Sequence, residues 1–258
     1  MRVDSQEIQD RRGRLPTDEL LALKIRGIGI EEATSLYERV TGKIAVENLK
    51  PSWMIFNEGF RVSWVTLLQK QIISGVTSFI LLVLFLPLFP FIALLIKLDS
   101  RGPILHSQER VGKNGKVFTL WKFRSMRENA EQNSGPMWSS AQDGRVTRIG
   151  KFLRRTRLDE LPQFYNVLKG DMSLVGPRPE RPYFVNQLSE LIPFYHLRHS
   201  VKPGLTGWAQ INYHYGHTAD DALEKLQYEL FYIKHVSWLL DSVILFDTVK
   251  TVLLRKGS

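Results

Sequence analysis

The stretch from Lys151 to Glu180 reads KFLRRTRLDELPQFYNVLKGDMSLVGPRPE and holds the most informative side chains of the chain. Proline is tolerated only in the first turn of a helix, so Pro162 predicts a helix that begins near Leu158 or Asp159. Gly170 is typical of a residue that ends a helix. The pattern therefore places an acidic pair, Asp159 and Glu160, at a helix N-terminus.

Basic residues flank this acidic pair on both sides in the sequence. They are Lys151, Arg154, Arg155, Arg157, Lys169 and Arg178. A helix N-terminus stabilises an ionised carboxylate, and arginine binds phosphate through two parallel hydrogen bonds. An acidic helix cap with a solvated basic face gives the same pattern and is the commoner case. The Gly-Pro-Arg-Pro turn at 176–179 favours a site, because its restricted backbone holds Arg178 close to the helix in sequence.

The composition excludes several kinds of site. The 258-residue chain has no cysteine, which excludes disulfides, zinc–thiolate sites and a thiol nucleophile. It contains no Walker loop, no Rossmann fingerprint after a strand and no Gly-x-Ser-x-Gly elbow. The net charge of +9 suits a polyanionic partner: nucleic acid, an anionic bilayer or a phosphorylated substrate.

A long apolar segment precedes the acidic pair. No charged side chain occurs from Gln71 to Ile96, and at about 1.5 Å per residue this segment can cross a bilayer core of about 30 Å. Pro87 removes a backbone hydrogen bond and predicts a bend. Both flanks are basic, whereas a spanning helix shows an asymmetry of positive charge. We therefore expect a helix that enters the membrane, bends at Pro87 and returns to the same face.

The rest of the chain is predicted to be mostly helical with one β-hairpin. Segments 104–110 and 116–122 alternate apolar and polar residues around Asn114-Gly115, the preferred pair of a type I′ turn. Helices are predicted to begin at Thr17, Ile30, Thr147, Thr218 (with Asp221 in a capping box) and Ser237. The expected fold class is α+β, with a re-entrant membrane helix and interfacial amphipathic helices.

Three motifs follow one another between about Lys70 and the C-terminus: KVFTLWKFRSM, LDELPQFYNVLKGDMSLVGPRP and KPGLTGWAQIN. In this order they resemble the bacterial sugar transferase family, the monotopic phosphoglycosyl transferases, as the C-terminal catalytic part of a longer member. The resemblance implies three regions. They are an N-terminal helical segment (1–69) that is the tail of a larger module, a re-entrant membrane helix (70–98) and a catalytic domain (99–258).

The resemblance also implies an activity. It implies transfer of a sugar phosphate from a nucleotide sugar, with UDP the expected nucleotide, to polyprenyl (undecaprenyl) phosphate, with release of UMP. The implied route has two steps through an aspartyl intermediate and uses Mg²⁺. The implied location is the bacterial inner (cytoplasmic) membrane, with the catalytic domain on its cytoplasmic face, at the first membrane step of polysaccharide or glycoconjugate synthesis. The oligomeric state stays open, a homodimer included.

Residue roles follow from the same resemblance. Asp159 would be the nucleophile and a magnesium ligand, and Glu160 would position the metal or accept the proton of the lipid phosphate. The implied substrate-binding residues are Arg154, Pro177, Arg178 and Pro179, with Lys122 and Arg145 placed by motif position and charge alone. At the bend the family carries Ser-Pro, whereas this chain has Leu86-Pro87. Glu229 stands where many relatives carry Asp.

Two other kinds of function fit parts of the sequence. A non-enzymatic, basic membrane-anchored assembly scaffold would use the Asp-Glu pair only as a helix cap. A nucleic-acid binder would use the arginine-rich helix. The combination of arginine, Asp-Glu and Pro-Arg-Pro elements argues against the scaffold, and the apolar segment argues against nucleic acid as the partner. The sequence does not name the sugar or the base of a donor.

Overall fold

The computed structural model describes residues 16–46, 60, 62–128, 130, 135, 137–138, 143–213, 216 and 218–254. Its α-helices are α1 (Thr17–Ile25), α2 (Ala33–Thr41), α3 (Trp64–Phe85), α4 (Leu88–Asp99), α5 (Arg148–Arg155), α6 (Gln163–Lys169), α7 (Pro182–Leu191), α8 (Trp208–Asn212), α9 (Ala219–Lys234) and α10 (Trp238–Leu253). The strands are β1 (Leu105–Val111), β2 (Val117–Phe123), β3 (Ser173–Val175) and β4 (Gly204–Thr206).

The fold class is α+β, mostly helical with a small hairpin, as predicted. Strands β1 and β2 pair antiparallel, and the short strands β3 and β4 pair parallel, which the sequence did not predict. Helices α5, α9 and α10 each contribute buried side chains to a core that also contains Val175 of β3. Side chains that are almost completely buried in the shared core include Leu153, Val175, Leu226, Leu230 and Ile244.

The hairpin turn confirms the prediction from the Asn-Gly pair. Asn114 and Gly115 have φ values of 56° and 76°, the left-handed conformation that a type I′ turn requires at both central residues. The amide of Lys116 donates to the carbonyl of Lys113 over 3.2 Å and closes the turn. This turn fixes the register of the hairpin, so that Lys122 on β2 lies opposite His106 on β1.

The apolar segment forms two helices that meet at Leu86-Pro87. Helix α3 begins at Trp64, earlier than the expected residue 70, and α4 continues to Asp99. Among the described residues, α3 is the one helix long and apolar enough to cross a membrane, with a mean hydropathy of 1.7 and most of its surface uncovered. The interruption falls at Pro87, and the bend expected there stays a prediction. Leu86 stays in the helical region, and its carbonyl accepts from the amide of Phe89 over 3.1 Å.

Both limbs of this helix pair bind the same body of the protein. On α3, Lys70 forms an ion pair with Asp241 of α10. On the other limb, the buried guanidinium of Arg124 donates to the carbonyl of Ser100 over 2.7 Å and covers the C-terminal end of α4. The two limbs and the junction between them therefore lie against one body, since Phe89 also packs on Phe123 of β2 with ring centroids 5.0 Å apart.

Of the two N-terminal helices, α2 packs on the protein body and α1 does not bury any residue. Helix α1 has no buried residue, and its cap position is Pro16 without a side-chain hydrogen bond, so the predicted cap at Thr17 was wrong. Helix α2 begins at Ala33, ends before a left-handed Gly42, and docks on α9. There the carboxylate of Glu38 pairs with Lys234 over 2.8 Å. The boundary at residue 69 and the larger N-terminal module stay predictions.

Candidate active site

The acidic pair lies in a tight 3-10 turn, Leu158–Glu160, rather than in the first turn of an α-helix. Pro162 has no amide hydrogen, so the carbonyl of Leu158 accepts from Leu161 over 3.3 Å instead of from a residue four positions on. Helix α6 begins only at Gln163 and ends, as predicted, before Gly170 in the left-handed conformation. The predicted helix start was therefore wrong by one turn.

Arg157 sets the direction of the acidic turn. Its φ of 58° is unusual for a residue other than glycine, and it separates α5 from the turn that follows. Asp159 and Glu160 come directly afterwards and are both buried, with exposed fractions of 6% and 8%. Two adjacent buried carboxylates repel each other, so one of them needs compensating cations.

Glu160 receives those cations. Its Oε1 atom lies 3.0 Å from Nη2 of Arg178, 3.3 Å from Nζ of Lys122 and 3.7 Å from Nη1 of Arg157. Burial alone would raise the pKa of Glu160, but Arg178, Lys122 and Arg157 outweigh it and hold the pKa well below its usual range. Glu160 is therefore an ionised anchor that gathers three cationic side chains from different parts of the chain.

Asp159 has the opposite environment. Its Oδ1 atom is buried and has no hydrogen-bond partner among the residues that the structure describes. Burial and the neighbouring Glu160 raise the pKa of Asp159, while Lys122, Arg154 and Arg157 act in the other direction. Two adjacent carboxylates with pKa values pushed apart are the usual sign of a division of roles. Asp159 is left as the carboxylate with one oxygen, Oδ1, that none of the described residues engages.

The Pro-Arg-Pro turn is held by its main chain. The carbonyl of Pro177 accepts from the amide of Gly204 over 2.9 Å, and the carbonyl of Pro179 accepts from Nη1 of Arg110 over 3.0 Å. Between them, the carbonyl of Arg178 accepts from Nη2 of Arg198 over 2.8 Å. Three consecutive carbonyls are thus fixed, and the Arg178 side chain is presented to Glu160 from a rigid turn.

Glycines allow the two loops beside this turn to approach each other. A Cβ at Gly204 would lie 2.1 Å from the amide nitrogen of Gly176, and a Cβ at Gly207 would lie 2.2 Å from its carbonyl oxygen. Real Cβ atoms do not come this close, so only glycine fits at these positions. The KPGLTGW motif is therefore the backbone support of the Gly-Pro-Arg-Pro turn.

Sequence reasoning missed the buried pair of Arg198 and Glu229. Nε and Nη2 of Arg198 donate to the two carboxylate oxygens of Glu229 over 2.8 and 2.7 Å, and Nη1 donates to Tyr195 over 2.6 Å. Both side chains of the pair are 5% exposed. The structure thus gives Glu229, which stands where many relatives carry Asp, Arg198 as its partner. The sequence contains no spacing that would have joined these two residues.

The other two arginines predicted to bind substrate, Arg154 and Arg145, contact residues other than Glu160. Nε of Arg154 donates to Oγ of Ser125 over 2.9 Å, and the close packing of Gly150 on Ser125 brings α5 to the end of β2. Arg145 forms an ion pair with Asp143 over 2.6 Å. The charge of Arg154 still lowers the pKa of Asp159. The role of Arg145 in substrate binding stays a prediction.

The donor set can be compared with what Mg²⁺ needs. Among the described residues, no cluster of three or more acidic, His or Cys side chains could enclose a metal on the protein alone. Mg²⁺ commonly binds through one or two carboxylates together with substrate phosphates and water. The Oδ1 atom of Asp159, which has no partner among the described residues, is an oxygen ligand of this kind. The residues present therefore fit a magnesium ion that arrives with a phosphorylated substrate.

The arrangement combines a buried carboxylate with a free oxygen and a group of cations beside it. Such a site can stabilise the charge that spreads over the oxygens of a transferring phosphoryl group. A carboxylate in this position can also attack phosphorus and form a covalent acyl phosphate. The site therefore has what phosphoryl transfer requires.

Comparison with known proteins places the site in a family. A profile described as bacterial sugar transferase matches residues 65–255. The UDP-N-acetylgalactosamine-undecaprenyl-phosphate N-acetylgalactosaminephosphotransferase of Aeromonas hydrophila is 42% identical over 231 residues, which are 90% of this chain and 54% of that protein. The UDP-glucose:undecaprenyl-phosphate glucose-1-phosphate transferase of Escherichia coli (strain K12) is 46% identical over 192 residues, 73% of this chain and 41% of that protein.

A shorter relative is matched almost completely. The exopolysaccharide production protein PSS of Rhizobium leguminosarum bv. phaseoli is 42% identical over 197 residues, which are 73% of this chain and 97% of that protein. Against the two longer relatives, the chain spans about half of their length. The family match includes the acidic turn, the Gly-Pro-Arg-Pro turn and both limbs of the apolar helix pair. The chain therefore belongs to the bacterial sugar transferase family.

Proposed function

We propose that this chain is the catalytic part of a membrane phosphoglycosyl transferase. It moves a sugar phosphate from a UDP-sugar to undecaprenyl phosphate and releases UMP. The names of the relatives support this activity, since those proteins are named as transferases that act on undecaprenyl phosphate with UDP-linked sugars. The match to an exopolysaccharide production protein supports a place in polysaccharide synthesis.

The observation that carries the mechanism is the contrast between the two carboxylates. Glu160 binds Arg178, Lys122 and Arg157, while Oδ1 of Asp159 is buried and no described residue offers it a hydrogen bond. A nucleophile must keep an oxygen free to attack, and an anchoring carboxylate must not. We therefore assign nucleophilic attack to Asp159 and the positioning of the cations to Glu160.

The proposed reaction has two displacements at phosphorus. In the first, a carboxylate oxygen of Asp159 attacks the phosphorus that carries the sugar, and the bond to the UMP oxygen breaks with its electron pair. In the second, an oxygen of undecaprenyl phosphate attacks the same phosphorus and releases the Asp159 carboxylate. Arg178 and Lys122 lie where their cationic groups can bind the non-bridging oxygens in both steps. Arg154 favours the ionised form of Asp159.

Mg²⁺ fits this reaction as the ion that neutralises the diphosphate of the donor. Asp159 is the residue that would hold it, together with substrate oxygens and water. Protein side chains carry out the other functions of the site. They hold the donor through Arg178, stabilise charge through Lys122, and keep the acidic turn in place through Glu160.

The placement in the membrane is also a proposal. Both limbs of the apolar helix pair bind the same body, α3 through Lys70 and α4 through Arg124, which supports a re-entrant helix whose ends lie on one face. The exposed apolar side chains of α10 support a position at the interface. They are Trp238, Leu239, Val243, Phe246 and Val249. We propose that this face is the cytoplasmic face of the bacterial inner membrane, where sugar nucleotides are available.

Intact-mass spectrometry tests the central step. The protein is incubated with Mg²⁺ and a UDP-sugar but without lipid acceptor, and peptide mapping then locates any added mass. We expect one sugar phosphate per chain on Asp159, at most about one equivalent of UMP, and no adduct in Asp159→Asn. Glu160→Gln keeps the nucleophile, so donor binding should be retained at least in part.

Three results would contradict the assignment: an adduct on Glu160, full turnover by Asp159→Asn, or turnover without any adduct. The last of these would indicate direct attack by the lipid phosphate. A screen of UDP-sugars in nanodiscs containing undecaprenyl phosphate would then identify the sugar.

A further inference from the structure

The apolar helix α3 carries a stripe of polar residues on one side. Lys70, Ser74 and Ser78 are spaced four residues apart, so they lie on one face of the helix. Ser74 and Ser78 are buried, with exposed fractions of 5% and 0%, although most of the helix surface is exposed. This polar stripe therefore faces the protein body, while the apolar surface of α3 faces outward.

Lys70 at the start of the stripe belongs to a buried network. Its ammonium group contacts both the hydroxyl of Tyr232 and the carboxylate of Asp241. The Tyr232 hydroxyl lies 2.8 Å from Oδ1 of Asp241 and 3.3 Å from the carbonyl oxygen of Val175. Tyr232 is 1% exposed. The network thus connects α3 to the last residue of β3.

Ser74 reaches the same strand directly. Its Oγ atom lies 3.0 Å from Oγ of Ser173 and accepts a hydrogen bond from the amide of Leu174 over 3.4 Å. Ser173 and Leu174 are both buried. All three residues of β3 are therefore contacted by the polar stripe or by the network that Lys70 holds.

Strand β3 runs straight into the turn that presents Arg178. Gly176 and Pro177 alone separate Val175 from Arg178, and the ring of Pro177 fixes its φ, so the connection is short and restricted. The guanidinium of Arg178 lies 3.0 Å from Glu160 in the acidic turn. A shift of α3 along β3 would therefore move a cationic group of the candidate active site.

We propose that the polar stripe of α3 positions the active site: Lys70 and Ser74 fix β3, and β3 fixes Arg178. Helix α3 then supports the geometry of the active site in addition to anchoring the protein in the membrane. The inference rests on the proposed function only through the role of Arg178 in donor binding. Lys70 and Ser74 are positioning residues, since they touch β3 and its supports rather than the reacting atoms.

Hydrogen–deuterium exchange of the whole chain in nanodiscs tests the proposal without relying on activity. Ser74→Ala and Tyr232→Phe remove contacts to β3 while keeping the size of the side chain nearly constant. Ser78→Ala is the matched control, because Ser78 lies on the same stripe but its hydroxyl has no partner among the described residues. We expect faster exchange at 173–178 in the first two variants and unchanged exchange in Ser78→Ala.

Kinetics of UMP release provide the second measurement. Ser74→Ala and Tyr232→Phe should lower kcat/KM for the UDP-sugar about tenfold to a hundredfold, as expected when a catalytic group is displaced by up to about 1 Å. The KM for undecaprenyl phosphate should stay the same. Ser74→Thr keeps the hydroxyl and should restore most of the rate, which a loss of helix packing would not allow.

The outcomes separate the two proposals. Exchange at 173–178 that stays unchanged in Ser74→Ala and Tyr232→Phe overturns the positioning role, whatever the activity. Faster exchange in a protein that releases no UMP from any UDP-sugar, the unmodified chain included, supports the positioning role and contradicts the proposed function. If removal of the Tyr232 hydroxyl prevents folding, Lys70→Met/Asp241→Leu removes both charges of the network together and tests the same contact.

Discussion

The side chain of Arg198 donates a hydrogen bond from Nη2 to the main-chain carbonyl oxygen of Arg178 across 2.8 Å. The same guanidinium is held by Glu229 from the neighbouring helix α9, so a buried ion pair sets the orientation of the turn that presents Arg178. One arginine thus fixes the backbone of another, and only the second of them reaches the acidic turn.

Loss of charge at Glu229 should destabilise the protein strongly. In Glu229→Gln the Arg198 guanidinium stays buried without a counter-charge, which costs about 3–5 kcal/mol in comparable pairs. Glu229→Asp keeps the charge and should cost less. Denaturant unfolding of the detergent-solubilised chain gives both free energies of unfolding. Equal stability of Glu229→Gln and the unmodified protein would show that the pair does not support the turn.

Arg178→Lys should damage the enzyme although the charge is conserved. A guanidinium binds phosphate through two parallel hydrogen bonds that an ammonium group does not reproduce, and loss of such a contact lowers kcat by about 100-fold. Initial rates of UMP release measure the effect. Arg155→Lys is the matched control, because Arg155 is an exposed residue of α5 in the same basic stretch. A near-normal rate for Arg178→Lys would exclude a direct contact with phosphate.

The stability of the fold should depend on pH through His199. Burial and the neighbouring Arg198 lower the pKa of His199 from its ordinary value of 6.5 to about 4. Between these values the unfolded chain binds a proton that the folded chain excludes. Stability is therefore lost as the pH falls from 6.5 towards 4. His199→Gln should reduce the difference in Tm between pH 7 and pH 5, measured by differential scanning calorimetry, and an unchanged difference would contradict this role of His199.

A re-entrant helix pair should leave both of its ends on one side of the membrane. Because the chain has no cysteine, Ser63→Cys and Ser107→Cys each introduce a single thiol, and both positions are exposed. We expect an impermeant maleimide to label both from the cytoplasmic side only. Pro87→Leu should straighten the pair and move the two thiols to opposite sides. Labelling of the two single-cysteine proteins from opposite sides would contradict a re-entrant helix.

Features set by neighbouring residues could be predicted from the sequence. Asn114-Gly115 gave the hairpin turn, Thr218 with Asp221 gave the capping box of α9, and Gly170 marked the end of α6. Each depends on the backbone preference or hydrogen-bonding reach of residues within a few positions of one another. The start of α6 was misplaced because Pro162 allows more than one local arrangement of the residues before it. Pro162 has no amide hydrogen to donate. It therefore fits after a 3-10 turn that precedes a helix as well as in the first turn of a single helix.

By itself the sequence determined the chemical inventory: an acidic pair, the arginines around it, a rigid Pro-Arg-Pro turn and an apolar segment broken by proline. Only the tertiary structure decided which carboxylate would gather the cations and which would keep a free oxygen. It also brought Arg198 to Glu229 and Lys70 to Asp241. These contacts join residues far apart in the chain, and side-chain burial and packing select them. The spacing of residues in the sequence does not predict such contacts, because it constrains only residues within a few turns of each other.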